Sequence, residues 1–377
     1  MHLDESVIRE LNTYELLMNL YDFYDPSETL KRHSVKTAYI ILEIQKRTEK
    51  YSLQELRLGV SLGLTHDIGG LYVSNKVDMD SVDVFNHSVY SYLLFKYLMN
   101  MGVFSESLLY HHLDYKHLKN LDGLYSKELI SILRIADVYS YYSLDEIKQY
   151  SGDRYDPYAV KLIEDIDKDV RIQENLSSGK YMDEVNKLFE HSVMSSLQIK
   201  SLMRSLVYPL DKKYHNLPLL CSYVAVLNWI LGTICGIDNS EKSCLYFYGA
   251  LFKILYHKRE NINGLTSKYI IELIEDVGNQ NFKNKSVKIC FVSEKVAEEL
   301  LKHKKLSSKL VKSLFQSICE EYSLTDVYAL VKGNIDFIEK EMESIQDAVY
   351  FVQDNLQKEH DVLLETLNNK YLREKNK

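Results

Sequence analysis

Proline is nearly absent from this chain: four in 377 residues, beside 14 glycines and a single tryptophan. So little turn chemistry excludes a doubly wound α/β sheet or an all-β fold with its many tight reversals. It favours long helices with short connections, and the expected fold class is all-α. The five cysteines (Cys221, Cys235, Cys244, Cys290, Cys319) lie in the second half and form no C-x-x-C pair. That excludes a disulfide framework or a zinc knuckle and reads as reduced, buried thiols of a cytoplasmic protein. Basic charge is short too: 46 Lys and Arg against 54 Asp and Glu give a net charge of -8, which argues against general nucleic-acid binding. No basic n-region precedes an apolar stretch at the start, so no signal peptide is read. The longest apolar run, Leu219 to Ile237, is interrupted by Ser222, Asn228 and Thr233. It reads as a buried helix rather than a membrane span.

What the chain does have is an ordered series of histidines and aspartates: His33, His66-Asp67, His87, His111-His112 and Asp137. Five of the twelve histidines belong to it. Imidazole and carboxylate together suit borderline and hard divalent metals. One helix presents only side chains three or four apart on a face, so a site built from this series must draw on several helices. The intervals of 33, 21, 24 and 26 residues from His33 to His66, His87, His111 and Asp137 each fit one helix, its connection and part of the next. Helices packed ~8–10 Å apart can aim such residues into one cavity. Taken singly, each residue has an ordinary reading: Asp137 as a cap or a partner of Arg134, His111-His112 as a solvated face. Against that, Thr65-His66-Asp67-Ile68 and Ile135-Ala136-Asp137-Val138 set ionisable groups among core residues. A buried charge needs a partner, and a metal is one.

Helices are expected near 6–21, 28–50, 53–65, 84–101, 105–115 and 127–142, with 71–83 a polar loop over the site. Domain boundaries are placed at 1–24 (an N-terminal helix), 25–170 (the metal-bearing domain), 171–205 (connecting helices) and 206–377 (a second helical domain). Val287 to Val292 reads either as one strand or as a helix start. His191, His257, His303 and His360 stand alone and read as surface residues, Trp229 and Cys235 as core. Tyr139, Tyr141 and Tyr142 could stack a nucleobase or pack at the edge of the core. The charged C-terminal helices offer a candidate homodimer contact.

Leu64-Thr65-His66-Asp67-Ile68-Gly69, Leu109-Tyr110-His111-His112 and Leu133-Arg134-Ile135-Ala136-Asp137-Val138-Tyr139 resemble the HD superfamily of metal-dependent phosphohydrolases, and most of all its HD-GYP branch. Gly152-Asp153-Arg154-Tyr155-Asp156-Pro157 is similar to the turn that follows that domain. The resemblance covers roughly residues 25 to 170. It implies a helical bundle and two divalent metals, iron or manganese. His33, His66, Asp67 and Asp137 would hold the first; Asp67 would bridge to a second held by His87, His111 and His112. His66 and Asp67 would form the catalytic doublet. The implied reaction is hydrolysis of a nucleotide phosphodiester, such as cyclic di-GMP, by a bridging hydroxide. The alternative is a weak or inactive signalling module that senses a nucleotide or a partner protein. Three departures separate the chain from the branch. Gly70 stands where a lysine usual to it would be, Leu113 stands where a glutamate follows the histidine pair, and the Gly-Tyr-Pro signature is missing. Thr29 replaces the glutamate that supports a third metal in some members, with Glu28 one place off. In the second half, Lys212 to Asn216, Tyr246 to Tyr256 and Glu339 to Gln357 resemble worn parts of the same module. Phe252-Lys253 occupies the place of the ligand doublet. A degenerate copy and an unrelated helical domain both stand open, and neither would bind metal.

Overall fold

The computed structural model describes residues 2–10, 14, 17, 18, 21, 29–71, 85–99, 102–189, 216–257 and 268–372. Among them the fold is all-α, as the scarcity of proline and glycine predicts, and there is no strand beyond an isolated bridge between Ser151 and Tyr155. The chain divides into two compact units, one of residues 1–23 and 193–354, the other of 24–192 and 355–377.

The second of these carries the whole His/Asp series. The His33 helix (Thr29–Thr48) packs along the His66 helix (Leu53–Thr65), and both meet the Asp137 helix (Lys127–Tyr139). The His66 helix starts on a capping box, with Ser52 Oγ accepting from Glu55 N while Glu55 accepts from Ser52 N, and each such cap contributes about 1 kcal/mol. Gly63 lets the two helices touch: a Cβ there would stand 2.6 Å from Ala38 Cα. The Asp137 helix is capped by Ser126 and buries Ile132, Leu133 and Ile135, each contributing about 1.5–3 kcal/mol.

The His87 helix (Asn86–Met99) is expected two residues longer at each end, and the helix before His111 (Gly102–Tyr110) stops short of the histidine pair, which lies in the turn after it. Residues 355–372 return to this unit and pack on the His87 helix. His360 Nε2 donates to Asn86 Oδ1 at 2.7 Å, its ring stacks on Tyr90 with centroids 3.8 Å apart, and Lys96 pairs with Glu359 at 2.7 Å. This corrects the surface reading of His360, which is buried; an aromatic ring stacked beneath it and an amide acceptor at its edge take the place of water. His303 is half-buried; His191 and the loop expected at 71–83, beyond Leu71, lie outside the described residues, as does the side chain of His257.

The other unit centres on Leu217–Ile234 and Asn239–His257, packed as a pair. Leu217–Ile234 is long and apolar enough to cross a membrane, but most of it is buried. Its Asn228 is buried and donates to Leu245 O at 2.8 Å. Here too a glycine sets the crossing: a Cβ on Gly249 would stand 2.6 Å from Ala225 Cα. Val287 to Val292 belongs to a helix, Lys285–Leu300, started by Asn284, so the strand alternative falls. All five cysteines are buried free thiols, while Trp229 is only half-buried, under Lys242.

Candidate metal centre

The turn after the His66 helix is locked by its glycine. Ile68–Leu71 forms one 3-10 turn, and a Cβ on Gly69 would lie 2.0 Å from His87 O. Gly69 N donates to Ser91 Oγ at 2.9 Å, and that hydroxyl donates to His66 O at 2.7 Å. Ser91, one turn beyond His87, therefore ties the His66-Asp67 doublet to the His87 helix. Arg134 does not pair with Asp137. It donates to His111 O and to Asp114 Oδ1, both at 3.1 Å, and to Arg154 O at 3.4 Å, fastening the histidine turn to the turn at Gly152. Gly152 has φ +84°, a left-handed conformation that favours glycine.

These constraints bring all seven residues together in two sets that share Asp67. His33, His66, Asp67 and Asp137 form one; Asp67, His87, His111 and His112 form the other, with the donor atoms of each set within 4.8 Å of one another. In the first, His33 Nε2 lies 3.0 Å from Asp137 Oδ1, 3.3 Å from Asp67 Oδ2 and 3.1 Å from His66 Nε2. In the second, Asp67 Oδ1 lies 3.2 Å from His87 Nε2 and 3.8 Å from His111 Nε2, while His112 Nε2 is 2.8 Å from His87 Nε2. Metal–ligand bonds of ~2.0–2.2 Å place neighbouring donors about 3 Å apart or a little more, which is the spacing here.

Asp67 turns one carboxylate oxygen to each set. The imidazoles are also oriented for a cation. His66 Nδ1 faces Gly63 O at 2.8 Å and His111 Nδ1 faces Leu108 O at 2.6 Å. A carbonyl only accepts, so both Nδ1 atoms carry hydrogen and each Nε2 keeps a lone pair in the neutral ring. His33 Nδ1 faces Ser140 Oγ at 2.7 Å, whose own proton goes to Asp137 O at 2.7 Å, with the same result. Asp137 Oδ2 is buried with no hydrogen-bond partner, a cost that a cation would offset. The donor set therefore fits two divalent ions.

Electrostatics separate the two sets. Burial alone would lower His33, but the hydrogen bonds to Asp137 and Asp67 outweigh it and push it up to about 9. His66 is raised in the same way, burial being overcome by Asp67 and Asp137. Burial opposes ionisation of the carboxylates as well, yet the surrounding imidazoles hold Asp67 and Asp137 well below the usual range. Burial pushes His111 down and His112 well down, each helped by neighbouring histidines.

Leu113, at the place of the absent glutamate, is buried, and Gly70 faces open space. Tyr141, 58% exposed, stacks on His33 with centroids 4.5 Å apart. The ligands were legible as residue types in apolar runs. The residues that orient them, Ser91, Ser140 and Gly63, were not. Only helical spacing from a ligand marks the first.

No family model and no curated protein matches the chain. Among solved structures it is similar to the crystal structure of a cyclic GMP-AMP specific phosphodiesterase of V. cholerae. The two are 13% identical with a TM-score of 0.49, over 90% of this chain and 100% of that one.

Proposed function

We propose that the chain is an HD-type, metal-dependent phosphohydrolase that cleaves a nucleotide phosphodiester, with cyclic dinucleotides the first class to assay. The observation that carries this reading is Asp67, whose two oxygens face two separate sets of imidazoles. A scaffold needs no such carboxylate. When bound, a pair of iron or manganese ions would lower the pKa of a bound water and polarise the phosphoryl oxygens. The protein's part is to fix that pair. Asp67 spans it; His66 and His111, locked by backbone carbonyls, present Nε2 without rotation; Ser140 does the same for His33. Asp67, 18% exposed at its side chain, is where substrate reaches the centre.

The other unit reads as a metal-free copy of the same helix pair. Gly249 against Ala225 repeats Gly63 against Ala38. Counting from those contacts, Leu220 stands where His33 does and Phe252-Lys253 where His66-Asp67 does.

The test is anaerobic purification, metal analysis, and assay with bis-p-nitrophenyl phosphate and cyclic dinucleotides. About two equivalents of iron or manganese, with turnover abolished in Asp67→Ala, is the expected result. Metal without turnover would replace the enzyme by a nucleotide-sensing module, and no metal would end both readings.

A further inference from the structure

Six of the seven residues of the centre are buried, and Asp67 alone of them reaches solvent. One exposed side chain outside the seven stacks on the set: Tyr141, whose ring lies on His33 with 29° between the planes. His33 Nε2 is in turn 3.3 Å from the Asp67 carboxylate. Burial, and then the charges of Asp67 and Asp137, hold the Tyr141 hydroxyl above the ordinary phenol range, so the hydroxyl end of the ring lies in the field of both carboxylates. That hydroxyl has no hydrogen bond among the described residues. The backbone fixes where the ring goes. Tyr141 N donates to Val138 O at 3.0 Å in the turn that closes the Asp137 helix. Two residues on, Ser143 starts a short helix, Leu144–Lys148, on a capping box with Glu146. Held between these caps and packed on His33, the side chain loses little further freedom when a ligand docks against it.

On the hydrolase reading above, substrate meets the centre at Asp67. Its phosphoryl oxygens are anionic acceptors and need donors as well as ions. The neighbouring chain offers few: Gly69 and Gly70 have no side chains, and Arg134 is already committed to His111 O, Asp114 and Arg154 O. A phenol O–H given to an anionic oxygen makes a charge-assisted hydrogen bond, about twice as strong as a neutral one. The Tyr141 hydroxyl, unengaged and aimed into the field of the two carboxylates, is such a donor.

Resting on that reading, we infer that Tyr141 is a substrate-binding residue of this centre: its hydroxyl donates to a phosphoryl oxygen, and the ring stacked on His33 is its mount. The test is Tyr141→Phe in the metal-loaded full chain, because phenylalanine keeps the ring and its stack and removes only the donor. Inorganic phosphate is the binding probe, read by calorimetry and as a competitive inhibitor of bis-p-nitrophenyl phosphate turnover. The variant is expected to bind phosphate about tenfold more weakly and to lower kcat/KM for the diester by about tenfold, the effect of losing one hydrogen bond to a charged group. Metal content, and metal affinity read by competition with a chelator, are expected to match wild type. Tyr141→Ala, which removes the mount as well, is expected to weaken phosphate at least as much. Tyr158→Phe, the same change at an exposed tyrosine of the Pro157–Asp167 helix, serves as the control. Unchanged phosphate affinity in Tyr141→Phe would overturn the inference. So would weaker phosphate binding that merely follows a loss of metal, since the residue would then only support His33. The two readings fail separately. Diester turnover in Tyr141→Phe at the wild-type kcat/KM removes the donor and leaves the hydrolase. Phosphate binding that depends on the Tyr141 hydroxyl, in a wild-type chain without turnover, supports the donor and removes the hydrolase.

Discussion

Replacing Gly69 by alanine tests the geometry of the centre without touching a ligand. The added Cβ would sit 2.0 Å from His87 O and 2.6 Å from Ser91 N, both backbone atoms of the His87 helix. Real Cβ contacts essentially never fall under 3.0 Å, so the turn and the helix must part by about 1 Å. That movement loosens the bond from Gly69 N to Ser91 Oγ and lengthens the 3.2 Å approach of Asp67 Oδ1 to His87 Nε2. Overpacking of this kind costs about 1–3 kcal/mol, and the weakened hydrogen bond about 1 more. Together they predict a Tm lower by roughly 5–12 °C for a unit of this size. A displacement of 1 Å between reacting groups costs on the order of 100-fold in rate. Gly70→Ala is the matched control, because a Cβ there meets nothing within 4 Å; its effect should stay within about 0.5 kcal/mol. Metal analysis, thermal melts and turnover of bis-p-nitrophenyl phosphate are read on both variants. Gly69→Ala that keeps wild-type metal content and turnover, or Gly70→Ala that is equally damaging, would refute the reasoning.

Other predictions follow from the same contacts. Ser140→Ala removes the acceptor of His33 Nδ1–H and is expected to weaken one of the two metals by about 10–100-fold, read by competition with a chelator. Proton linkage should distinguish the two sets. His33, raised from 6.5 to about 9 in the metal-free chain, must lose its proton to bind metal, whereas burial already disfavours the protonated form of His111 and His112. Calorimetry in buffers of differing ionisation enthalpy should therefore show manganese entering the His33 set with proton release, its binding weakening as pH falls from about 8 to about 6. For the metal-free chain, a raised His33 contributes stability below pH 6.5 that is lost as pH climbs through about 9. Its Tm should accordingly fall between those values, and a flat profile would contradict the assignment. His360→Ala loses the bond to Asn86 and the stack on Tyr90, and should cost about 1–3 kcal/mol in a denaturant melt.

The helical fold was legible because its signals are local. Scarce proline and the spacing of apolar residues act within a few turns of chain, and the Leu53–Thr65 helix falls where that pattern places it. The ligand set was legible for a related reason: ionisable residues inside apolar runs need an explanation whatever the tertiary structure. What stayed hidden depends on partners far along the chain. His360 looks like any histidine of a charged helix until Asn86 and Tyr90 are brought to it, 274 residues away in the case of Asn86. Ser140 looks like the end of a helix until His33 is brought to it. Val287 to Val292 could not be typed from its apolar run, since strand and buried helix share that pattern; Asn284 at its start decides for helix.

The return of residues 355–372 onto the His87 helix has a consequence for biosynthesis. During translation, all seven His and Asp residues of the centre emerge long before the segment that braces one of their helices. Domains tend to fold as they leave the ribosome, but this one must wait for its last brace, with residues 193–354 of the other unit made in between. A nascent chain would then hold the His87 helix by the Ile68–Leu71 turn and the Gly102–Tyr110 helix alone, and firm capture of the second ion would await residues 355–372.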